Sequence, residues 1–162
     1  MSNNSNEKFS QAYDKYSVML YRIAYLHTGN AQESEDILQE VFIKLLYSAP
    51  IFADDIHEKA WLIRVTTNKC KDYLKSSRHS NMSLNDEIIS DKVCENDKAL
   101  DVQAKIISLD KKYKTVVYLF YYEDYSIKQI SSCLKLSEST VKMRLKRARE
   151  ILKKELENYD ES

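Results

Sequence analysis

The sequence has very few of the residues that turn a chain sharply: one glycine, Gly29, and one proline, Pro50, in 162 residues. Tight turns between strands depend on those residue types, so their scarcity argues against a β-rich fold. Hydrophobic residues make up 43% of the chain and charged residues 31%, which is typical of a folded, soluble composition. The sequence therefore predicts an all-α fold. The longest apolar run, Val116 to Tyr122, is too short to cross a bilayer, so we expect no membrane insertion.

Cysteine and histidine are also scarce, and their positions do not indicate a metal site, a disulfide or a catalytic pair. Cys70, Cys94 and Cys133 are odd in number and far apart, which is typical of reduced thiols in the cytosol. The histidines, at positions 27, 57 and 79, have no metal-ligand spacing, and there is no Cys/His nucleophile pair or glycine-rich phosphate loop. The N-terminal segment 1–8 is polar and lacks the apolar core of a signal peptide. We expect a cytoplasmic protein that is not an enzyme and needs no metal or cofactor.

The net charge is zero, but the charges are unevenly distributed. The range from Glu33 to Glu58 contains seven acidic residues and one lysine, and a basic stretch follows up to Arg78. Residues 79–101 carry six acids and two lysines, and residues 102–162 carry thirteen basic and nine acidic groups. A chain with one acidic surface and two basic ones is expected to have more than one macromolecular partner.

The acidic stretch predicts a helix from about Gln32 to Tyr47 with two distinct faces. One face is a broad apolar stripe that we expect to be buried: Ile37, Leu38, Val41, Phe42, Leu45 and Leu46. The other face has the i, i+3, i+4, i+7 spacing of groups that present together: Asp36, Gln39, Glu40 and Ile43. An aliphatic residue among acids and an amide suits docking on a basic partner helix. The alternative is a solvated face with one stray isoleucine.

A second helix, from about Lys59 to Arg78, separates core residues from a basic face. The residues on the basic face are Arg64, Asn68, Lys71, Lys75 and Arg78, with Trp61 at its border. Cations supply phosphate contacts, an amide can hydrogen-bond to a base edge, and an indole can stack on an unpaired base. This composition indicates a site for single-stranded or melted DNA. The alternative is a solvated basic face over a core tryptophan.

The C-terminal segment predicts a helix-turn-helix. Ser126 and Gln129 form a capping box before a short helix, the chain turns through Lys135 and Leu136, and Ser137 caps the second helix. An apolar stripe on the second helix is formed by Val141, Leu145, Ala148, Leu152 and Leu156. Seven cations against one acid between Lys142 and Lys154 would repel one another without an anionic partner. In this geometry the N-terminal part of the second helix reads the major groove. We expect Lys142, Met143, Lys146 and Arg147 at the bases, and Arg144 and Arg149 nearer the phosphates.

The order of these segments predicts two small helical domains. The first covers residues 1–78, residues 79–99 form a flexible acidic linker, and the second covers residues 100–162. Within the first domain, Phe9, Tyr13, Tyr16, Leu20 and Ile23 indicate an initial helix that ends near Gly29. Residues 51–57 would connect the acidic helix to the basic one.

Taken in order, the segments resemble a bacterial sigma factor of the sigma-70 family, specifically the small extracytoplasmic-function (ECF) group. The resemblance lies in residues 35–42, 61–68 and 125–149. It implies that five residues bind the clamp helices of the polymerase β′ subunit: Asp36, Gln39, Glu40, Phe42 and Ile43. It implies that five bind and open minus-ten DNA: Trp61, Arg64, Asn68, Lys71 and Lys75. It implies that eight contact the minus-thirty-five element: Ser139, Thr140, Lys142, Met143, Arg144, Lys146, Arg147 and Arg149.

The implied partners are core RNA polymerase, through its β′ clamp helices and β flap, and promoter DNA. Anti-sigma factors are common partners in this group, and the sequence leaves open whether one acts here. The resemblance also suggests that the acids from Asp86 to Asp101 lie in the RNA-exit path as an RNA-like polyanion. Three residues depart from the family pattern: Lys135 for a turn glycine, Asp110 for a proline and Ser34 for an alanine.

Two other functions fit parts of the sequence. A stand-alone repressor or activator would use the same helix-turn-helix, usually as a dimer on a palindromic operator. A helical adaptor would have no role on nucleic acid. The stand-alone regulator does not explain the face around Asp36 or the Trp61 and Asn68 segment.

Overall fold

The structure is a computed structural model that describes residues 2–77 and 104–160, with the side chains of residues 4–76 and 104–154. The described part is helical throughout and contains no strand. The chain divides into two compact units, an N-terminal and a C-terminal one, whose boundary falls between the two described parts. These features confirm the all-α prediction and the two helical domains. The predicted linker 79–99, with its acids, lies outside the described residues.

The N-terminal unit is built from three helices: α1 (Ser2–Thr28), α2 (Ala31–Ser48) and α3 (Asp55–Ser77). Gly29 ends α1 as predicted, with a φ of 64° that glycine adopts without steric cost, and its N–H donates to the Tyr25 carbonyl at 2.8 Å. Asn30 then caps α2, because its side-chain oxygen accepts from the Glu33 N–H at 3.0 Å. This two-residue connection makes α1 and α2 neighbours.

Ser34 lies at the connection between α1 and α2 and has a structural role there. Its side chain is fully buried, and its hydroxyl donates to the Asn30 carbonyl at 2.6 Å and lies 2.9 Å from the Thr28 hydroxyl. Buried hydroxyls are stable where they find such partners. This serine, which stands where the resemblance implies an alanine, therefore ties the two helices together at their connection.

The core of the N-terminal unit is formed by one side of each helix. Its fully buried members include Leu20 and Ile23 from α1, Val41 from α2, and Leu62, Ile63 and Cys70 from α3. Two expectations are corrected. Leu46, predicted in the buried stripe of α2, is exposed over 44% of its surface. Helix α3 begins at Asp55 instead of near Lys59, because Asp54 accepts the His57 N–H on its side chain at 2.8 Å and the Glu58 N–H on its carbonyl at 3.1 Å.

The C-terminal unit contains a helical segment 104–108, followed by α4 (Lys111–Tyr121), α5 (Ile127–Leu134) and α6 (Glu138–Asp160). Asp110 caps α4, since its carboxylate accepts the Lys112 N–H at 3.3 Å. The residue that replaces the family's proline is thus a helix cap. Ile106 and Ile107 lie in the helical segment 104–108, and Leu109 lies just beyond its end, buried.

The core of this unit packs α4 against the two helices of the helix-turn-helix. Its fully buried members include Val116, Val117, Leu119, Ile130, Val141, Leu145 and Ala148, with Ile106 from the segment 104–108. The predicted stripe of α6 is therefore confirmed at Val141, Leu145 and Ala148, while Leu152 is half-buried and Leu156 lies outside the described side chains. Burial of this stripe leaves the cationic circumference of α6 on the outside.

Candidate functional site

The outward face of α2 carries the predicted group. Asp36, Gln39, Glu40 and Ile43 are all exposed, and the isoleucine retains 56% of its surface. The Gln32 amide donates to the Asp36 carboxylate at 3.2 Å, which orients that carboxylate along the helix. The spacing that predicted one shared face is therefore confirmed by exposure.

Phe42 does not lie on this face. It is 3% exposed, and its ring packs against the rings of Phe9 and Tyr13 from α1, with centroids 5.8 and 5.0 Å away. Aromatic rings at these separations hold helices together. Phe42 was expected both in the buried stripe and at the polymerase contact. Its burial agrees with the first expectation and leaves little ring surface for the second, and the ring holds α2 on α1.

The exposed face extends further than the sequence analysis predicted. Leu46 and Tyr47 follow Ile43 by three and four residues, and they are 44% and 79% exposed. The face is therefore polar in its first two turns and apolar in its last two. The sequence analysis missed Tyr47, although its spacing of four residues from Ile43 could have pointed to it, and assigned Leu46 to the buried stripe.

The basic face of α3 is present as predicted. Asn68, Lys71 and Lys75 are exposed and Arg64 is half-buried. Trp61 is also half-buried, and its ring meets Phe52 edge-on, with centroids 5.5 Å apart. Arg78 lies outside the described residues. One side of α3 therefore combines cations, an amide and a partly open indole.

Phe52 is a residue that the sequence analysis missed. It lies in the connection between α2 and α3, where it packs edge-on to both Trp61 and His57, the latter at 5.3 Å. The His57 Nδ1 also accepts the main-chain N–H of Ala53 at 3.1 Å. These contacts fix the connection against the tryptophan. A lone phenylalanine in a predicted loop gave no periodic signal of this role.

An ion pair joins helices α2 and α3. The Lys69 ammonium lies 3.5 Å from the Glu40 carboxylate, so α2 and α3 are bridged between the polar part of the α2 face and the middle of α3. Both side chains are partly solvent-accessible. A separate pair joins α1 to α3: the Lys15 ammonium lies 3.3 Å from Asp55, which raises the pKa of Lys15 through a hydrogen bond and the opposite charge.

The helix-turn-helix has the predicted capping box and an unusual turn. The Ser126 hydroxyl accepts the Gln129 N–H at 3.1 Å, and the Gln129 side chain accepts the Ser126 N–H at 2.8 Å. Lys135 adopts a left-handed conformation, with φ 55° and ψ 45°, which a glycine would adopt without strain. The turn is therefore formed at the expense of backbone strain at Lys135.

Ser137 caps α6 as predicted. Its hydroxyl accepts the Thr140 N–H at 3.1 Å and lies 2.7 Å from the Thr140 hydroxyl and 3.2 Å from the Ser139 hydroxyl. The hydroxyls of Ser139 and Thr140 are therefore engaged with the cap in this structure. As hydroxyls, they can rotate to donate to a phosphate instead.

The predicted DNA-reading residues of α6 divide into two groups. Those on the open side are Lys142, Met143, Lys146 and Arg147, all exposed. The other two pack on α4: the Arg149 guanidinium lies over the Phe120 ring at 5.8 Å, and half-buried Arg144 donates to the Lys112 carbonyl at 3.4 Å. Arg144 and Arg149 are thus held against α4, whereas the first group is free to enter a groove.

Two further properties bear on function. No helix in residues 2–77 or 104–160 combines the length and hydropathy that crossing a membrane needs. Within the same described residues, no three side chains of His, Cys, Asp or Glu gather in a way that suits a metal ion.

Comparison with known proteins identifies both units. Residues 12–80 match the family model of sigma-70 region 2, and residues 99–152 match the model of sigma-70 region 4. ECF RNA polymerase sigma factor SigW of Bacillus subtilis is 31% identical, over 93% of this chain and 89% of that protein. SigM of Mycobacterium tuberculosis, also an ECF sigma factor, is 28% identical, over 87% of this chain and 73% of its own length. The chain therefore belongs to the ECF group of sigma-70 RNA polymerase sigma factors.

The fold agrees with this assignment. The sigma factor RpoE of Bartonella quintana, solved in complex with the anti-sigma factor NepR, matches with a TM-score of 0.71 over 93% of this chain and 98% of that one, at 20% identity. Family membership decides between the functions that the sequence left open. The chain is not an enzyme; it directs transcription initiation through regions 2 and 4, with RNA polymerase and promoter DNA as partners. The stand-alone regulator and the adaptor are set aside.

Proposed function

We propose that the outward face of α2 binds the clamp helices of the polymerase β′ subunit. The observation that carries this proposal is an exposed apolar residue, Ile43, among exposed Asp36, Gln39 and Glu40 on a single helix face. Carboxylates in such a setting steer and orient a basic partner, and the apolar group supplies the area that is desolvated on binding. Leu46 and Tyr47 extend the apolar half of the same contact.

Residues of α3 bind the minus-ten element in the same proposal. Lys71 and Lys75 contact phosphates, because exposed lysines on one side of a helix release counterions from DNA. Asn68 hydrogen-bonds to an unpaired base, and Trp61 holds the edge of the opened duplex. The Phe52 contact keeps the indole in one orientation, so that less entropy is lost when DNA binds.

In the C-terminal unit, α6 enters the major groove at the minus-thirty-five element. Lys142, Met143, Lys146 and Arg147 are exposed near its start, which is the part of a recognition helix that meets base edges. Ser139, Thr140, Arg144 and Arg149 flank them and suit phosphate contacts. The β flap of the polymerase is the proposed partner that holds this unit at the promoter, with both units acting at a raised effective concentration.

An anti-sigma factor is a further proposed partner. The Bartonella quintana relative was solved with one, NepR. The exposed apolar group Ile43, Leu46 and Tyr47 offers such a protein the same surface that the polymerase would use. Inhibition would then be competitive. Because its partners are RNA polymerase and DNA, the chain is proposed to act in the cytoplasm.

The polymerase contact is tested by titrating the fluorescently labelled chain with purified core polymerase. Ile43→Asp places a charge in the apolar half of the contact, and we expect at least tenfold weaker binding, equivalent to about 1.4 kcal/mol. Val18→Asp, at an exposed apolar residue of α1, is the matched control and should bind as the wild type does. Equal affinity for Ile43→Asp and the wild type would overturn the proposed contact.

A further inference from the structure

Arg149 of α6 lies against an aromatic ring of α4. Its guanidinium carbon is 5.8 Å from the centroid of the Phe120 ring. Arg149 is exposed and Phe120 is half-buried, so the contact lies at the surface of the C-terminal unit. No carboxylate among the side chains that the structure describes forms an ion pair with Arg149. The ring is therefore the group that determines where this cation lies.

A ring and a carboxylate would affect the Arg149 guanidinium in different ways. The face of an aromatic ring attracts a guanidinium through its quadrupole but carries no net charge. The contact with Phe120 therefore limits the rotamers of Arg149 without neutralising it. The N–H donors of the guanidinium remain available for the oxygens of an anion.

The Phe120 ring is itself held in place. It follows fully buried Leu119, and it meets the Tyr121 ring edge-on, with centroids 5.0 Å apart. The chain beyond the helix is tied back to the same point, because the Tyr125 N–H donates to the Leu119 carbonyl at 3.0 Å. The ring thus has a fixed position against which a mobile side chain can be ordered.

The position of Arg149 on α6 suits a contact beside the groove. Successive helical residues are about 100° apart, so Arg149 lies about 20° from Lys142 around the helix axis, on the side toward buried Leu145. It therefore lies at the flank of the open face, where α6 meets α4. A cation at the flank of a recognition helix is closer to the DNA backbone than to the base edges.

We propose that Phe120 is a positioning residue for promoter binding, because its ring holds the Arg149 guanidinium where it contacts a phosphate beside the minus-thirty-five element. This inference rests on the proposed phosphate contact of Arg149. A side chain that is ordered before DNA arrives loses less entropy on binding, which corresponds to about a 2- to 10-fold gain in affinity. The gain should be the same on every minus-thirty-five sequence, since a phosphate contact carries no sequence information.

The test measures the affinity of holoenzyme, assembled with saturating core polymerase, for a labelled duplex promoter mapped with this protein. Phe120→Leu removes the ring but keeps apolar bulk, and it should bind about 2- to 10-fold more weakly. Phe120→Met, a second variant without the ring, should give the same loss, and Phe120→Tyr should bind as the wild type does. Urea unfolding of each full chain shows that its C-terminal unit is folded in the assay. If the variants without the ring bound DNA as tightly as the wild type, or more tightly, the positioning role would be overturned.

A double-mutant cycle separates positioning from a general structural defect. In an Arg149→Ala background, Phe120→Leu should cause no further loss, because the side chain that the ring orders is absent. In a Lys142→Ala background, about 10 Å away from Arg149 along α6, Phe120→Leu should cause its full loss. A loss that persisted in the Arg149→Ala background would overturn the positioning role.

The salt dependence of binding distinguishes failure of this inference from failure of the proposed phosphate contact. Phe120→Leu should keep the salt slope of the wild type, because the phosphate contact still forms, whereas Arg149→Ala should lower the slope by about 1. If Arg149→Ala changed neither affinity nor slope, the phosphate contact itself would be wrong. If Arg149→Ala changed both and Phe120→Leu changed neither, the positioning role alone would be wrong.

Discussion

The main-chain N–H of Leu136 donates to the carbonyl oxygen of Ser131 at 3.1 Å, and this bond closes the turn of the helix-turn-helix. The Ser131 hydroxyl also donates to the Leu136 carbonyl at 2.5 Å, so the two residues are joined in both directions. Lys135 lies between them in the left-handed conformation that this closure requires. The turn therefore presents α6 correctly although it lacks the family's glycine.

Lys135→Gly should stabilise the C-terminal unit by roughly 0.5–1 kcal/mol. A left-handed residue with a Cβ costs about 1–2 kcal/mol, and the greater freedom of glycine in the unfolded chain offsets part of the gain. Urea unfolding of the full chain would measure the change in the transition of this unit. Lys135→Ala is the control, because it removes the charge and keeps the Cβ, and it should give no such gain. If Lys135→Gly were no more stable than Lys135→Ala, the backbone strain assigned to Lys135 would be contradicted.

Residues of α6 should separate into those that set promoter sequence and those that set affinity. Met143→Ala on the open side should alter the preference at one minus-thirty-five base pair by about 1–3 kcal/mol. Arg149→Ala, next to Phe120, should weaken binding nearly equally on all sequences and lower the salt slope by about 1. Holoenzyme binding to a library of single-base promoter variants at several salt concentrations would measure both. A uniform loss for Met143→Ala would contradict base reading by this residue.

Glu58 makes the folding stability of the N-terminal unit depend on pH, and the direction of that dependence follows from its pKa. Burial raises its pKa above the usual 4.5, and the charge of Asp55 raises that pKa further, whereas Lys15 and Lys8 lower it. The folded state therefore holds this proton more tightly than the unfolded state. The stability that this group contributes is fully present below pH 4.5 and is lost as the pH rises through its folded pKa.

The variant Glu58→Gln imitates the protonated side chain at every pH. We expect its stability relative to the wild type to be higher at about pH 7 than at about pH 4. Urea unfolding at both pH values would measure the two differences. If the stability gain of Glu58→Gln over the wild type were the same at both pH values, or larger at the acidic one, the raised pKa of Glu58 would be contradicted.

Local signals in the sequence predicted much of this fold, because each acts within a few residues. The positive φ at Gly29 and the mutual bonds of Ser126 and Gln129 were both expected from neighbouring residue types. The start of α3 was missed although Asp54 is a standard capping residue, since the apolar periodicity begins only later in the helix. Leu46 was predicted to be buried but is exposed, because helical spacing shows which residues share a face and not how fully the neighbouring helices cover each of them.

Contacts between helices were the part that periodicity did not reveal. The bond from Arg144 to the Lys112 carbonyl joins residues 32 positions apart, and the pair of Glu40 and Lys69 joins two helices. The Phe52 packing on Trp61 depends on how the connection folds back. Two of these contacts modify the predicted site, because Arg144 is anchored to α4 and Phe52 holds the Trp61 ring.

The most direct test of the account is transcription from genomic fragments by purified core polymerase, with this chain carrying Asp36→Ala or Asn68→Ala. Asp36→Ala should lose protein-dependent start sites and regain them when its concentration is raised, because its defect is in polymerase binding. Asn68→Ala should bind core as the wild type does and still lose the start sites at any concentration. Asp14→Ala, at an exposed acid of α1, is the control and should retain them. Normal transcription with both variants would contradict the division of labour between α2 and α3.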